Sequence, residues 1–321
     1  MSMQHGTAGH LPQTSDRRAL VISGWLTGIY FFVELGIGLW TGSVAVTSDA
    51  FHTFSAVGGV LLALAASQFS RRGANRFQTF GYLRAEIVGA LFNGLFLAGM
   101  AVLVLWMGAM RLMSPIELPT GPMLLAAAGG LVTETISLLL LYRGQKGNLN
   151  MQGAFWHIIQ TFVGSLIIVV SALVIRFTGF LAIDPLLGML FGLVLFWASW
   201  KIIRDALHIL LQGTPQDLDL EAVVAAIRGI PGVTDVHHVH AWSLTSGRNV
   251  FSGHVRVQDY QQGERILQSI HALLQQRFGI YFSTVQVEQQ CLDEAAAAEI
   301  DVIKPAHHAR GPAIANPHGR H

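Results

Sequence analysis

Residues 20–69 read LVISGWLTGIYFFVELGIGLWTGSVAVTSDAFHTFSAVGGVLLALAASQF. Two apolar runs meet at Thr41-Gly42. Each is long enough as a helix to cross a hydrocarbon core of about 30 Å, which takes about 20 residues. Between Arg18 and Arg71 there is no Lys or Arg, and the only acids are Glu34 and Asp49. A connection of two residues leaves one arrangement, an antiparallel helical hairpin. In lipid each helix satisfies its own backbone groups, which an open strand cannot do.

The same pattern continues outward. Ile87 to Met110 carries no charge, Leu118 to Tyr142 only Glu134, Asn148 to Ile175 only His157, and Phe177 to Trp200 only Asp184. Charged residues are 12% of the chain and apolar residues 52%, against about 25% charged in soluble domains. The runs predict six membrane helices, Leu20–Leu39, Ser43–Phe69, Leu83–Met110, Met123–Tyr142, Gly153–Phe177 and Pro185–Leu207. Basic residues then set the orientation. Arg17, Arg18, Arg71, Arg72, Arg76, Arg84, Arg143, Lys146, Lys201 and Arg204 fall on one side, and only Arg111 and Arg176 on the other. The richer side is cytoplasmic and includes both termini. The expected location is the cell (inner) membrane. Met1 to Asp16 is polar, and the apolar run after it is too long for a signal h-region, so no cleaved signal is expected.

After Gly213-Thr214-Pro215 the composition becomes that of a soluble domain. Helical spacing at Leu218–Ile230 and Glu264–Phe278 alternates with strand patterns at Val233–Leu244, Asn249–Gln258 and Ser283–Glu288, with a turn at Thr245-Ser246-Gly247. The order helix, strand, strand, helix, strand suits an α+β ferredoxin-like sandwich. The expected division is a disordered tail 1–18, a transmembrane domain 19–212, a cytoplasmic domain 213–292 and a disordered tail 293–321. A net charge of +1 with no basic stripe speaks against a nucleic-acid partner. The single cysteine, Cys291, excludes an intrachain disulfide and a CxxC zinc knuckle.

Ionisable groups at bilayer depth are costly and need a reason. Asp49 and His52, three residues apart, share a helix face. His157 lies in the first half of the fifth helix. Together they suggest a nitrogen-and-oxygen site for a borderline divalent metal, although a lone His can also bond a neighbouring helix. Glu34 and Asn93 read as interhelical hydrogen-bonding groups. Glu134 reads equally as a packed, protonated acid or a functional one. Asp184 before Pro185 suits the start of the sixth helix.

Several segments carry a family resemblance. They are Gly42-Ser43, then Ser48-Asp49-Ala50-Phe51-His52; Phe80-Gly81-Tyr82-Leu83-Arg84-Ala85-Glu86 with Asn93-Gly94; Asn150 to His157; Asp184-Pro185; Gly213-Thr214-Pro215; and His240-Ala241-Trp242-Ser243-Leu244-Thr245-Ser246-Gly247. In order and spacing the chain resembles the cation diffusion facilitator family from about Ala19 to Cys291. The resemblance implies a homodimeric carrier that exports Zn²⁺ or a similar divalent cation from the cytoplasm in exchange for protons. It also implies a transport site on helices 2 and 5, where a His or Asp is followed four residues later by Asp. His52 and His157 match the first ligands, but Ala56 and Thr161 stand where the carboxylates are expected. Two neutral imidazoles leave a dication uncompensated in a low-dielectric site. A rearranged site of His52, His157 and Asp49, helped by Glu134, repairs the charge. Glu134 stands where the family leads one to expect Asn. Gln160 and Thr161 offer only neutral oxygens. His52 and His157 would then carry most of the proton exchange, since free His titrates near ~6.5. The alternative is a degenerate member that serves as a metal-binding sensor or a non-transporting partner subunit.

In the soluble domain His237, His238, His240 and His254 fall on adjacent predicted strands. His238 and His240 are expected to share a face. The resemblance implies a regulatory metal at the dimer interface, with His240, His254 and Glu288 as ligands and Cys291 nearby. Surface decoration is the other reading. His5, His10, His307, His308, His318 and His321 in the tails are either weak metal collectors or plain polar tails. An enzyme is disfavoured, because no nucleophile motif and no HExxH are present.

Overall fold

The computed structural model describes residues 14–70, 72–142, 149–245, 247–290 and 302–303. Six long helices come first: α1 (Thr14–Thr41), α2 (Val44–Ser70), α3 (Ala85–Met113), α4 (Thr120–Tyr142), α5 (Leu149–Thr178) and α6 (Ile183–Leu210). Five of them contain spans long and apolar enough to cross a membrane, and α2, with 27 residues, is the sixth. The expected order is therefore present. Residues 14–18, expected in the tail, already belong to α1. No Gly or Pro interrupts the run from Thr14 to Ser23, and Thr14, Ser15 and Asp16 favour a helix start. The expected metal-collecting residues His5, His10, His307, His308, His318 and His321 lie outside the described residues, as does Cys291.

Helices α1, α2, α4 and α5 pack on one another as a bundle, with α3 against α2. Small residues set the closest approaches. A Cβ on Gly188 of α6 would stand 2.8 Å from the Val44 backbone of α2, and one on Gly94 of α3 would stand 2.9 Å from Ile203 of α6. Large apolar side chains such as Trp25, Phe32, Phe92, Trp106, Leu125, Leu139 and Trp197 remain on the outside, as lipid contact requires. Inside, one apolar cluster (Ala45, Val46, Met123, Ala126, Ile168, Ala172) and a second (Leu141, Ile158) lie at different levels of the bundle. The level between them is polar.

The α1–α2 turn is locked from three sides. Gly42 has φ +71°, a left-handed conformation that only Gly adopts freely. Its carbonyl accepts from Arg111 Nη2 at 2.9 Å. Asp184, expected to start its own helix, sits in the first turn of α6 and caps α2 instead. Its Oδ2 accepts from the Val44 amide at 2.7 Å, and its Oδ1 from the hydroxyls of Ser43 at 2.6 Å and Ser171 at 3.3 Å. Asp184-Pro185 signals a start for the nearest helix in sequence; packing brings a different helix end to the same carboxylate. Replacing Asp184 with Ala would orphan these buried donors. The expected cost is about 3 kcal/mol, from two or three lost hydrogen bonds to a charged acceptor at about 1.5–3 kcal/mol each, partly relieved. Thermal unfolding in detergent against the wild type measures it.

The second compact unit begins at Leu207. It contains α7 (Leu220–Arg228), β1 (Val233–Thr245), β2 (Arg248–Val257), a 3₁₀ turn (Tyr260–Gln262), α8 (Gly263–Phe278) and β3 (Ile280–Glu288). The sheet order is β1-β2-β3, with β1 antiparallel and β3 parallel to β2. This is the expected α+β ferredoxin-like order. Both helices lay their apolar faces on one side of the sheet, where Val223, Ile227, Val236, Val239, Phe251, Val255, Ile266, Ile270 and Leu274 form the core. Ile303, expected in the disordered tail, packs against this core.

Strand β1 departs from simple alternation. Pairing slips between His237 and His240, and His238 takes a left-handed φ of 50°. Two residues there face one on β2, a β-bulge. Its cause is legible in the side chains: the core residues are Val236, Val239 and Ala241. The first gap is three residues, so one extra residue must be absorbed for Val239 to face inward. The extra residue falls between Val236 and Val239; His238 and His240, on either side of the inward Val239, both stay out of the core.

Candidate metal centre

His52 on α2 and His157 on α5 meet inside the bundle. Their ring centroids are 5.1 Å apart with planes at 42°, and Phe191 of α6 abuts the His52 ring at 5.3 Å. Among the described residues, neither nitrogen of His52 nor Nε2 of His157 has a hydrogen-bond partner, although all three atoms are buried. An unpaired buried polar atom costs about 1–3 kcal/mol. Two imidazoles this close with unpaired buried nitrogens have the chemistry needed to hold a borderline metal.

Toward the α1–α2 turn lies a layer of acids. Asp49 is three residues before His52, about 4.5 Å along the axis. It is 1% exposed, as are Glu34 at 2% and Glu134 at 8%. Glu34 approaches Asp49 within side-chain hydrogen-bonding reach, and Glu134 is close enough to both to interact. The hydroxyl of Ser165, on α5, joins two of them: it stands 3.1 Å from Glu134 Oε1 and 3.5 Å from Asp49 Oδ2. Glycines make this possible. A Cβ on Gly130 of α4 would collide with Ser165 Oγ, and one on Gly164 of α5 with Asp49 Oδ1. Helices α4 and α5 can therefore approach where Ser165 must reach Glu134.

The sequence-predicted residues fall into place unevenly. The structure brings His52 to His157, and Asp49 to Glu134. Thr161 is buried, donates to the Ile158 carbonyl at 2.9 Å, and lies within reach of the Glu134 carboxyl. Gln160 faces outward and Asn93 is half-buried. Glu34, expected to hydrogen-bond between helices, reaches Asp49 of α2 and so belongs to the acidic layer. A signal for it existed. Glu34 is seven residues before Thr41 and Asp49 seven after Gly42, so a symmetric hairpin must place them at one depth.

In the soluble unit three imidazoles gather, those of His237, His238 and His254. Each offers a nitrogen within 4.8 Å of the others. Register places His237 directly opposite His254 and His240 opposite Ser252, so His240 stands outside this group. Glu288 completes it, with Oε1 2.8 Å from His237 Nε2 and Oε2 3.5 Å from His254 Nδ1. Behind it, Asp235 Oδ2 is 3.5 Å from His237 Nδ1, and Arg228 Nη2 is 3.3 Å from Asp235 Oδ1. The bulge is what turns His238 toward the other two, which strand periodicity alone misses.

Six apolar helices that bury Glu34, Asp49, Glu134 and Asp184 between them, joined to an α+β domain, define a multi-pass membrane protein with a polar interior. The family model described as the cation efflux transmembrane domain matches residues 20–211, and the model of the cation efflux protein cytoplasmic domain matches 215–290. The chain is 35% identical over 292 residues to the metal cation efflux system protein CzcD of Cupriavidus metallidurans, covering 91% of this chain and 92% of that one. It is 32% identical over 286 residues to the zinc transporter ZitB of Escherichia coli, covering 88% and 91%. It is 32% identical over 281 residues to a cadmium, cobalt and zinc/H(+)-K(+) antiporter of Bacillus subtilis, covering 86% and 90%. The chain belongs to the cation diffusion facilitator family.

Proposed function

We propose that this protein is a secondary carrier that exports a divalent metal cation, zinc foremost, from the cytoplasm in exchange for protons. The observation that carries this reading is the His52–His157 pair, with bare buried nitrogens at 5.1 Å between ring centroids in the middle of a helix bundle. The names of the relatives, which include zinc transport, cation efflux and antiport, support the substrate and its direction.

In this reading His52 and His157 hold the ion through nitrogen, and Asp49 and Glu134 supply the negative charge missing at Ala56 and Thr161. Zinc takes such mixed nitrogen and oxygen ligands at about 2.0–2.2 Å. The carrier lies in the inner membrane with both termini cytoplasmic, which the distribution of Arg and Lys supports. It works as a homodimer, as the family resemblance implies. The test is zinc flux into proteoliposomes of purified protein across an imposed proton gradient. Flux that follows the gradient supports the carrier. No flux of Zn²⁺, Co²⁺, Ni²⁺, Fe²⁺ or Mn²⁺ overturns it.

We further infer that the cytoplasmic domain takes a regulatory metal at His237, His254 and Glu288, with His238 as a fourth neighbour. A tetrahedral zinc holds ligands about 3.4 Å apart, so the group needs only a modest contraction. The Asp235–Arg228 pair behind His237 fixes its ring, as outer partners of metal ligands commonly do. His254→Ala is expected to weaken zinc at this site by about tenfold or more, equivalent to about 1.4 kcal/mol. Calorimetry on the full chain reads it as the loss or weakening of one class of site. His240→Ala, outside the group, is expected to change it little.

A further inference from the structure

The acidic layer holds more oxygen than the proposed zinc site uses. Glu34 is not needed to balance a dication held by two imidazoles, Asp49 and Glu134. Yet it is brought from a third helix, α1, to the same point. Three carboxyls and a hydroxyl thus come from four helices: Glu34 from α1, Asp49 from α2, Glu134 from α4 and Ser165 from α5. Each carboxyl keeps one buried oxygen without a hydrogen-bond partner among the described residues: Glu34 Oε1, Asp49 Oδ1 and Glu134 Oε2. These are among the most costly atoms to leave unpaired in a membrane. No Lys or Arg lies between Arg18 and Arg71 or between Leu118 and Tyr142 to balance them. Three acids at one depth of a low-dielectric bundle need protons or a cation to coexist.

The donor set differs in kind from the histidine pair. It contains oxygen alone. Carboxylate and hydroxyl oxygens suit hard cations, whereas imidazole suits zinc and its borderline neighbours. The set is also displaced. Ser165 is eight residues beyond His157 on α5, about 12 Å along the axis, and Asp49 is one turn from His52 on the same side. We propose that Glu34, Asp49, Glu134 and Ser165 form a second cation station, an all-oxygen site for a hard divalent cation, distinct from the histidine pair and nearer the α1–α2 turn. It rests on the carrier reading for its use in transport but not for its existence. A dication there meets three possible anionic ligands, so one proton can remain on the third carboxyl and leave the cluster neutral. Asp49, one turn from His52 on α2, links the two stations along that helix.

The test is Mn²⁺ binding to the full-length protein in detergent, read by the loss of the free-ion electron paramagnetic resonance signal. The His254→Ala background weakens the cytoplasmic group, so that the bundle's contribution is read apart from it. Mn²⁺ is expected to bind, and Glu34→Gln, nearly isosteric, is expected to weaken it at least tenfold. His157→Ala is expected to leave Mn²⁺ affinity within about twofold while it removes zinc binding in the bundle. Gel filtration and melting of each variant check the fold, and Ser165→Ala gives a second, smaller probe if Glu34→Gln fails to fold. Absence of Mn²⁺ binding overturns the proposal, as does binding that ignores Glu34→Gln and Ser165→Ala. Equal loss of Mn²⁺ and Zn²⁺ in His157→Ala also overturns it, because one shared site would then suffice. The carrier reading fails separately, through the absence of zinc flux in wild type.

Discussion

Proteoliposomes carrying His157→Ala are expected to lose zinc flux by at least about a hundredfold while the protein remains folded. The size follows from what the ring does. Changes in groups that merely orient a metal ligand cost about 10–100-fold, and here a ligand itself is lost. One imidazole, that of His52, would face the ion alone. Folding should survive because among the described residues His157 Nε2 bonds to nothing, so no hydrogen bond at that atom is lost with the ring. What goes is ring contact with His52 at 5.1 Å, a modest packing loss. Gel filtration and thermal melting of the same preparation separate transport from folding. Full flux in a folded His157→Ala protein would place the ion elsewhere and remove the histidine pair from the mechanism.

The second large effect concerns Glu134. Its carboxyl lies beside the Thr161 hydroxyl and 3.1 Å from that of Ser165. Thr161 is the place on α5 where the family resemblance implies an acid. A carboxyl from α4 thus stands beside the α5 position where the resemblance implies one. Glu134→Gln is expected to reduce zinc flux by roughly 10–100-fold, because it removes a charge from a buried dication and leaves the shape intact. Thr161→Asp alone is expected to help little, since it sets a new carboxyl against Glu134. The double variant Glu134→Gln with Thr161→Asp is expected to recover most of the lost flux. A double-mutant cycle measures this coupling directly. If the double variant is as poor as Glu134→Gln, the two positions do not share one role.

Much of the fold was legible. Apolar runs of about 20 residues have few solutions in a bilayer, and the two-residue connection at Thr41-Gly42 has one. The soluble domain was readable because strand and helix periods differ. Errors arose where neighbours in space are not neighbours in sequence. Asp184 was given to α6 on sequence grounds, yet it caps α2 through the Val44 amide. His240 is expected with His254, whereas the register sets His237 opposite His254 and His240 opposite Ser252. The spacing Val236, Val239, Ala241 carried that information and outranks simple alternation.

The sequence by itself determined that the chain crosses a membrane six times, that the soluble domain follows, and that both expected carboxylates of helices 2 and 5 are missing. The first two rest on local composition, which acts through each segment's own contact with lipid or water; the third rests on the family resemblance. It also named His52 and His157. Only the tertiary structure decided what stands near them. It joined Glu34, Asp49, Glu134 and Ser165 into one layer, and it placed Glu134 beside Thr161. The physical reason is that these groups come from four helices. Which of their faces meet depends on where glycines such as Gly130 and Gly164 allow the backbones to close, and no period within a single helix encodes that.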